Sequence, residues 1–300
     1  MKIEFERIKC LYCHSERKTK ITEIGQFAIP THVVICKECG LMYLNPRWTP
    51  NRYHQFYVSE YENYYPRTSS DKQKDNRLPQ LVANRLYEFR EDQVFENILD
   101  IGSGFGDILL YFKNNRFKQA NYYAIEPSSV CIDFLTTKNI KVISPTVDNN
   151  WNESSKNKFD LIIMRHVLEH LLDPLNSLKK ISSTLTKDGL LYIAIPDAYH
   201  PLSPLNSYYF RAVHTAYFNK DTIHNLLYKA GLKVVELKDN LNGELYVIAK
   251  QGDTERPTTF INAYKKQLKI ISSTYTKEKG SGKTLAYLKA KLISITRKIK

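Results

Sequence analysis

From residue 97 onward the chain exchanges short apolar runs for longer segments of helical period. Asn97–Ile101, Tyr122–Glu126, Ile140–Ile143, Phe159–Met164 and Leu190–Ile195 are short apolar runs that read as strands. Asp107–Asn114 and Pro127–Lys138 read as helices, the second with proline at a helix-start position. Asp173-Pro174 opens a third, expected to stop near Asp188-Gly189, and Asp221–Ala230 is a fourth, ended by Gly231. Leu232–Leu237 and Glu244–Ala249 follow as strands joined only by the turn-rich Asp239–Gly243 link. Strands alternating with helices imply an α/β fold with a mainly parallel sheet covered on both faces, and the short final link implies an antiparallel last strand.

The chain before residue 97 follows another rule. Ile21–Ile24 and His32–Ile35 are short β-like runs that suit a hairpin, so residues 1–45 read as a small separate module. Residues 46–70 are rich in Tyr, Asn and Pro and read as an ordered connector with aromatic contacts. Leu78, Leu81, Val82, Leu86 and Phe89 recur at helical spacing within 71–93. The division is 1–45, 46–93, an α/β domain over 94–250, and a tail over 251–300. In the tail, residues 251–283 read as a polar tether around Gly280-Ser281-Gly282. Leu285, Leu288, Leu292, Ile295 and Ile299 then recur at steps of three and four beside Lys289, Lys291, Arg297, Lys298 and Lys300.

Composition changes this picture in two places. Of 300 residues, 42% are hydrophobic and 25% charged, ordinary for a globular protein. No run of 18 apolar residues and no apolar stretch in Met1–Lys9 points to a spanning helix or a signal peptide, so the expected location is the cytoplasm. The net charge of +13 is uneven: residues 251–300 hold 12 lysines and arginines against three acids, and residues 1–250 hold 32 against 28. The excess sits on the tail, which suits RNA, an anionic membrane surface or an acidic partner. A stripe of apolar residues beside lysines over 285–300 also suits packing on the protein body or peripheral contact with the inner membrane.

Asp100-Ile-Gly102-Ser-Gly104-Phe-Gly106 follows the first strand of the α/β region and opens a helix. Glycines there let the backbone turn tightly and approach a ligand, and the helix start offers N–H groups to a polar or anionic group. Glu126 ends the next strand, where a carboxylate can accept from ribose hydroxyls. Cys10-Leu-Tyr-Cys13 and Cys36-Lys-Glu-Cys39 are C-x-x-C pairs separated by 22 residues. Four thiolates at this spacing can close a tetrahedral structural zinc site, against the alternatives of a redox pair or unligated thiols. Cys131 falls on the apolar side of a helix and reads as core.

The G-x-G-x-G loop with its preceding acid resembles the class I S-adenosylmethionine-dependent methyltransferases. So do Phe159-Asp-Leu-Ile-Ile-Met-Arg-His-Val-Leu-Glu-His170 and Gly189–Pro196, which resemble that family's fourth- and fifth-strand motifs. The resemblance covers about residues 75–250. It implies a Rossmann-like seven-stranded sheet, mostly parallel, with an antiparallel last strand. It also implies that Asp100, Gly102, Gly104 and Gly106 hold the methionine end of S-adenosylmethionine and that Glu126 binds its ribose. Arg165 and His166 would line the methionine or sulfonium region, and Asp148 is the nearest acid for the adenine end. The cysteine module followed by Leu41-Met-Tyr-Leu-Asn-Pro-Arg47 resembles a narrower group, the bacterial sugar C-methyltransferases, from which this chain departs in lacking their large C-terminal domain. That group carries a histidine matched here by His214 in His214-Thr-Ala-Tyr-Phe218.

His214 is expected in a long loop over the cofactor, as a general base for the acceptor or as a packing residue. His170, one turn from His166 if that segment is helical, reads as a structural hydrogen-bonding residue. The expected function is methyl transfer to a sugar, a nucleotide-sugar or a related polar metabolite in surface-polysaccharide or natural-product assembly. The competing reading is RNA modification, with the zinc module and basic tail holding RNA; the balanced charge of residues 1–250 argues against it.

Overall fold

The computed structural model of the chain describes residues 4–65, 77–89, 95–147, 150–154, 158–240, 243–252 and 262–280. Its strands are β1 (Phe5–Glu6), β2 (Lys18–Ile24), β3 (Pro30–Cys36), β4 (Met42–Leu44), β5 (Arg47–Trp48), β6 (Asn97–Ile101), β7 (Asn121–Ile125), β8 (Lys141–Ser144), β9 (Phe159–Arg165), β10 (Leu185–Pro196), β11 (Ala216–Tyr217), β12 (Leu232–Asn240) and β13 (Glu244–Gln251). Seven of them make one sheet in the order β12-β13-β10-β9-β6-β7-β8. The pairs from β10 to β8 are parallel, and β13 runs antiparallel to both β10 and β12. This is the expected Rossmann-like α/β sheet with its antiparallel last strand.

The two-residue period of β9 explains why it must lie at the centre. Leu161 and Ile163 pack on one face with Ile98, Tyr192 and Ala194. Ile162 and Met164 pack on the other with Leu99, Ile101 and Ile193. A run apolar on both sides is stable only where helices cover both faces. Those helices are Asp107–Asn115, Ser129–Thr137, Pro174–Thr184 and Lys220–Lys229, with Arg77–Tyr87 packed on the first.

Four expectations are corrected. The helix opened by Asp173-Pro174 stops at Thr184, and the chain enters β10 at Leu185. Leu185 pairs with Phe159 before an irregularity that restores the register at Leu190 with Leu161. Gly189 lies where a Cβ would meet the Phe159 carbonyl at 2.7 Å, so it serves close approach within the strand and not a helix stop.

The connector is largely helical: Pro50–Gln55, Phe56–Glu60 and Tyr61–Tyr64 run on without a break, with Thr49 as N-cap accepting from the Arg52 N–H. Trp48, Tyr53 and Phe56 are its buried anchors.

The polar tether contains an 18-residue helix, Ala263–Gly280. Its Tyr264, Leu268, Ile271 and Tyr275 pack against Val33, Ile35 and Met42. Steps of four, three and four among these residues mark that face and outweigh the polar average.

Residues 1–45 do not stand apart. β2, β3 and β4 form the expected hairpin and its neighbour, but the fourth strand of that sheet is β11, from the loop that follows the seven-stranded sheet's fifth strand in sequence. Ala216 pairs with Tyr43 and Tyr217 with Met42. Cys10, Cys36 and Cys39 share one apolar cluster with Ile193, Ile223 and Leu226. Residues 285–300 and Asp148 lie outside the described residues. No described helix is long and apolar enough to cross a membrane.

Candidate active site

β6 ends at Ile101, and the chain turns through the glycine loop into the helix that starts at Asp107. Gly102, Gly104 and Gly106 all take left-handed φ, at 73°, 57° and 73°. Two of them are also held by space: a Cβ on Gly102 would lie 2.4 Å from Val167 Cγ2, and one on Gly106 would lie 2.6 Å from Leu135 Cδ2. Gly104 differs, since nothing lies within 4 Å of its Cβ position. The loop is thus tight against the fold on two sides and open at its middle, the side from which a ligand can reach the backbone.

Glu126 closes this half of the site. Its carboxylate is buried and accepts from the Gly104 N–H at 2.9 Å and the Ser128 N–H at 3.0 Å. A buried carboxylate at the end of the second strand is the acceptor type that ribose hydroxyls require. Asp100 is buried beneath the loop. Burial pushes its carboxyl well above the usual range, and the charge of Glu126 adds to this. The residues expected to hold a sulfonium nucleoside therefore lie together and fit one: a backbone open at Gly104, a buried carboxylate acceptor, and a helix start.

The second half is a cavity of about 620 Å³, within the range that holds a small molecule. Tyr61 and Tyr65 line it from the connector helix, and Tyr208, Arg211 and His214 from the loop before β11. Arg165, His166, Glu169 and His170 enter from the end of β9, and Glu244 from the start of β13. Arg165 Nη2 reaches Glu244 at 3.1 Å. His166 has φ of 54°, a strained value for a residue with a Cβ. Its N–H bonds to the Ala194 carbonyl, while its ring reaches Glu169 and Glu244, each at 3.3 Å. Burial lowers the His166 pKa, but the hydrogen bonds to Glu169 and Glu244 outweigh it and the net shift is upward. Arg165 and His166, expected near the methionine or sulfonium region, are thus both tied to Glu244 on the cavity wall.

His214 is 5% exposed, and its Nδ1 has no hydrogen-bond partner. Burial pushes its pKa well below the ordinary value, and the charges of His170, Arg211 and His166 add to this. The His170 and His214 rings meet edge to face at 4.8 Å, and His170 Nδ1 lies 3.1 Å from the Tyr57 hydroxyl. Glu169 Oε1 is bound by His166, whereas its buried Oε2 has no partner. Sequence reasoning named His214 and His166 but gave no role to Glu169 or Glu244. Glu169 stands in the Val-Leu-Glu-His motif, so a signal was present; Glu244 reads only as the start of a strand.

The four paired cysteines also converge. Cys10 and Cys39 sulfurs are 3.5 Å apart, those of Cys13 and Cys36 3.4 Å, and all four fall within 4.8 Å. Tetrahedral ligands at Zn–S of about 2.3 Å lie roughly 3.8 Å from one another, so the cluster fits that ion. Hydrogen bonds from the other thiols hold Cys36 well below the usual thiol range and push Cys39 well above it. Gly40 follows at φ of 74°, where a Cβ would lie 2.7 Å from the Ala263 backbone. The cluster is therefore pinned against the start of the last described helix. Cys131 is buried in the core, as expected.

Known proteins resemble the α/β part of the chain. A family model described as a methyltransferase domain matches residues 71–237. (S)-coclaurine N-methyltransferase of Papaver somniferum is 30% identical over 105 residues, covering 33% of this chain and 29% of that protein. N-methyltransferase 4 of the same plant is 32% identical over 110 residues, with the same coverage. The chain spans less than a third of the length of these curated relatives. Among solved structures, the plantazolicin methyltransferase BpumL, in complex with a monoazolic desmethylPZN analog and SAH, superposes with a TM-score of 0.53 at 15% identity. That superposition covers 66% of this chain and 93% of BpumL and speaks to the fold alone. The family match spans the glycine loop, Glu126, His166 and Glu169, and on that ground the chain belongs to the methyltransferase-domain family.

Proposed function

We propose that this chain transfers a methyl group from S-adenosylmethionine to a small polar acceptor held in the cavity beside His166. The observation that carries the reading is the pairing of the Gly104 N–H with the buried Glu126 carboxylate at the open middle of the glycine loop. Bound there, the sulfonium nucleoside supplies an already activated methyl group. The chain's own work is to bind and align: Glu126 orients the ribose, the loop backbone receives the methionine end, and the tyrosine-lined cavity holds the acceptor in line. A sugar or nucleotide-sugar is the proposed acceptor class, supported by Tyr61, Tyr65 and Tyr208 as flat surfaces beside carboxylates that can accept from hydroxyls. His214 is proposed to serve removal of the acceptor's proton, supported by its place on the wall and its unpartnered Nδ1.

A structural zinc held by Cys10, Cys13, Cys36 and Cys39 belongs to the same reading; it would fix the module on which β11, and hence the His214 loop, is hung. Calorimetry with S-adenosylmethionine tests the core. The parent protein is expected to bind, and Gly104→Val and Glu126→Ala to weaken binding; an inert parent, or variants equal to it, would overturn the assignment. Peripheral contact of residues 285–300 with an anionic membrane is tested separately by vesicle sedimentation at low salt. Protein left in the supernatant removes that contact and leaves the enzyme reading intact.

A further inference from the structure

We infer that Glu169, His170 and His214 form a second metal site, a two-histidine, one-carboxylate centre for a divalent first-row ion such as Zn2+, open toward the acceptor cavity. One ligand atom from each of the three residues falls within 4.8 Å of the others. Ligands of a tetrahedral ion at bonds of about 2.0–2.2 Å lie roughly 3.3–3.6 Å apart, so small side-chain rotations close the site.

The strongest sign is an anomaly of hydrogen bonding. Among the buried polar atoms of the cavity wall without a partner, Arg165 Nε and Tyr209 OH are donors, whereas Glu169 Oε2 and His214 Nδ1 can ligate a cation. Each such atom costs on the order of 1–3 kcal/mol when left unsatisfied. Two such atoms within one cluster of three metal-ligating side chains are explained together by a cation that both would bind.

The surrounding groups are arranged as the outer partners of metal ligands are. His170 Nδ1 lies 3.1 Å from the Tyr57 hydroxyl, and its Nε2 lies 4.0 Å from Glu169 Oε1, so the ring's second nitrogen is on the carboxylate's side. Glu169 Oε1 is taken by His166 at 3.3 Å, which turns Oε2 away from that contact. Orientation of a ligating histidine through its other nitrogen, and of a ligating carboxylate through its other oxygen, is the usual outer-shell pattern. Three protein ligands beside a cavity leave a coordination position for an acceptor oxygen, the arrangement of a site that activates rather than one that only braces. The donor set of two imidazoles and a carboxylate favours zinc or iron over magnesium or calcium. The third such cluster among the described residues, Asp197, His200 and Asp239, has two exposed members and no comparable unpartnered atoms.

The inference extends the proposed function: an ion here would lower the proton affinity of a bound hydroxyl, and His214 would serve deprotonation as its ligand. It is tested without turnover. Tag-free, full-length protein is dialysed against a mild chelator, which leaves a four-cysteine zinc in place, and titrated with CoCl2. The parent is expected to take up one cobalt per chain, with weak visible d–d bands and no thiolate charge-transfer band. Glu169→Gln and His214→Ala should reduce that uptake to near zero while their melting transitions overlay the parent's. A parent that binds no cobalt, or cobalt uptake unchanged in both variants, overturns the site. Failure of the methyl-transfer reading would appear elsewhere, as a parent that ignores S-adenosylmethionine.

Discussion

The two halves of the candidate site are built from different materials. The proposed cofactor half is nearly continuous in sequence, from Asp100 to Gly106 plus Glu126, and consists of loop backbone and buried carboxylates. The acceptor half is collected from the connector helix, the exit of β9, the loop before β11 and the start of β13, and works through side chains. Backbone recognition tolerates change in neighbouring side chains, because only the glycines and the strand–turn–helix path must persist. Side-chain recognition depends on how four distant segments dock. The difference predicts that the halves can be damaged independently.

The largest effect is expected from Cys36→Ser. A structural zinc contributes about 10–16 kcal/mol of folding free energy in small isolated domains, and losing one thiolate forfeits part of it. Hydrogen exchange should then show amide protection across β2 to β4 and at Ala216–Tyr217 falling by more than about 100-fold, about 2.7 kcal/mol. The loosening travels to the acceptor half because β11 is paired to β4. S-adenosylmethionine affinity should change little. Equal collapse of both halves would mean that the module supports the whole fold and that the contrast is wrong.

Next in size is His214→Ala. Loss of a group that serves proton removal lowers turnover by about 10²–10⁴-fold. Cofactor affinity measured by calorimetry should stay near the parent value, since His214 lines the cavity and not the glycine loop. Undiminished turnover on an identified acceptor would return His214 to packing.

Glu126→Ala strikes the other half. It removes the carboxylate proposed to accept from the ribose hydroxyls, a loss of about 2 kcal/mol or about 30-fold in cofactor affinity. The cobalt uptake proposed for the acceptor wall should not move. If cofactor affinity holds and metal uptake falls, the division between the halves has been drawn in the wrong place.

The same contrast explains what could be read from the sequence. Asp100, the three glycines and Glu126 were legible because local chain geometry assigns them: a strand, a left-handed turn and a helix leave few places for such residues. The four cysteines were legible because chelation leaves a spacing. Glu169 sat in a recognisable motif without its role being readable, whereas Glu244, Tyr57 and Arg211 reach the site only through tertiary docking, so no period or spacing betrays them. The Ala263–Gly280 helix was hidden for another reason. Only three of its residues, Ala263, Gln267 and Ile271, are buried, and the rest dilute the pattern to that of a polar linker.

Gln267 gives the smallest and most local test of how that helix contributes. Its side chain is fully buried; Nε2 donates to the Ala198 carbonyl at 2.7 Å, and Oε1 accepts from Asn219 Nδ2 at 2.9 Å. Asn219 in turn caps the Lys220–Lys229 helix by accepting from the Asp221 and Thr222 N–H groups. One amide thus ties the last described helix to the end of β10 and to a helix cap on the acceptor side. Gln267→Leu keeps the volume but leaves the Asn219 N–H and the Ala198 carbonyl unpaired. The penalty is about 1–1.5 kcal/mol, at the low end for buried polar groups because Asn219 keeps its capping bonds. For a chain of this size that is a fall in melting midpoint of about 2–6 °C. Affinity for S-adenosylmethionine should be unchanged, because neither residue approaches the glycine loop. A midpoint equal to the parent's would show that the helix is held by its apolar face alone, through Tyr264, Leu268, Ile271 and Tyr275. A fall accompanied by weaker cofactor binding would show that the two halves communicate through the Lys220–Lys229 helix.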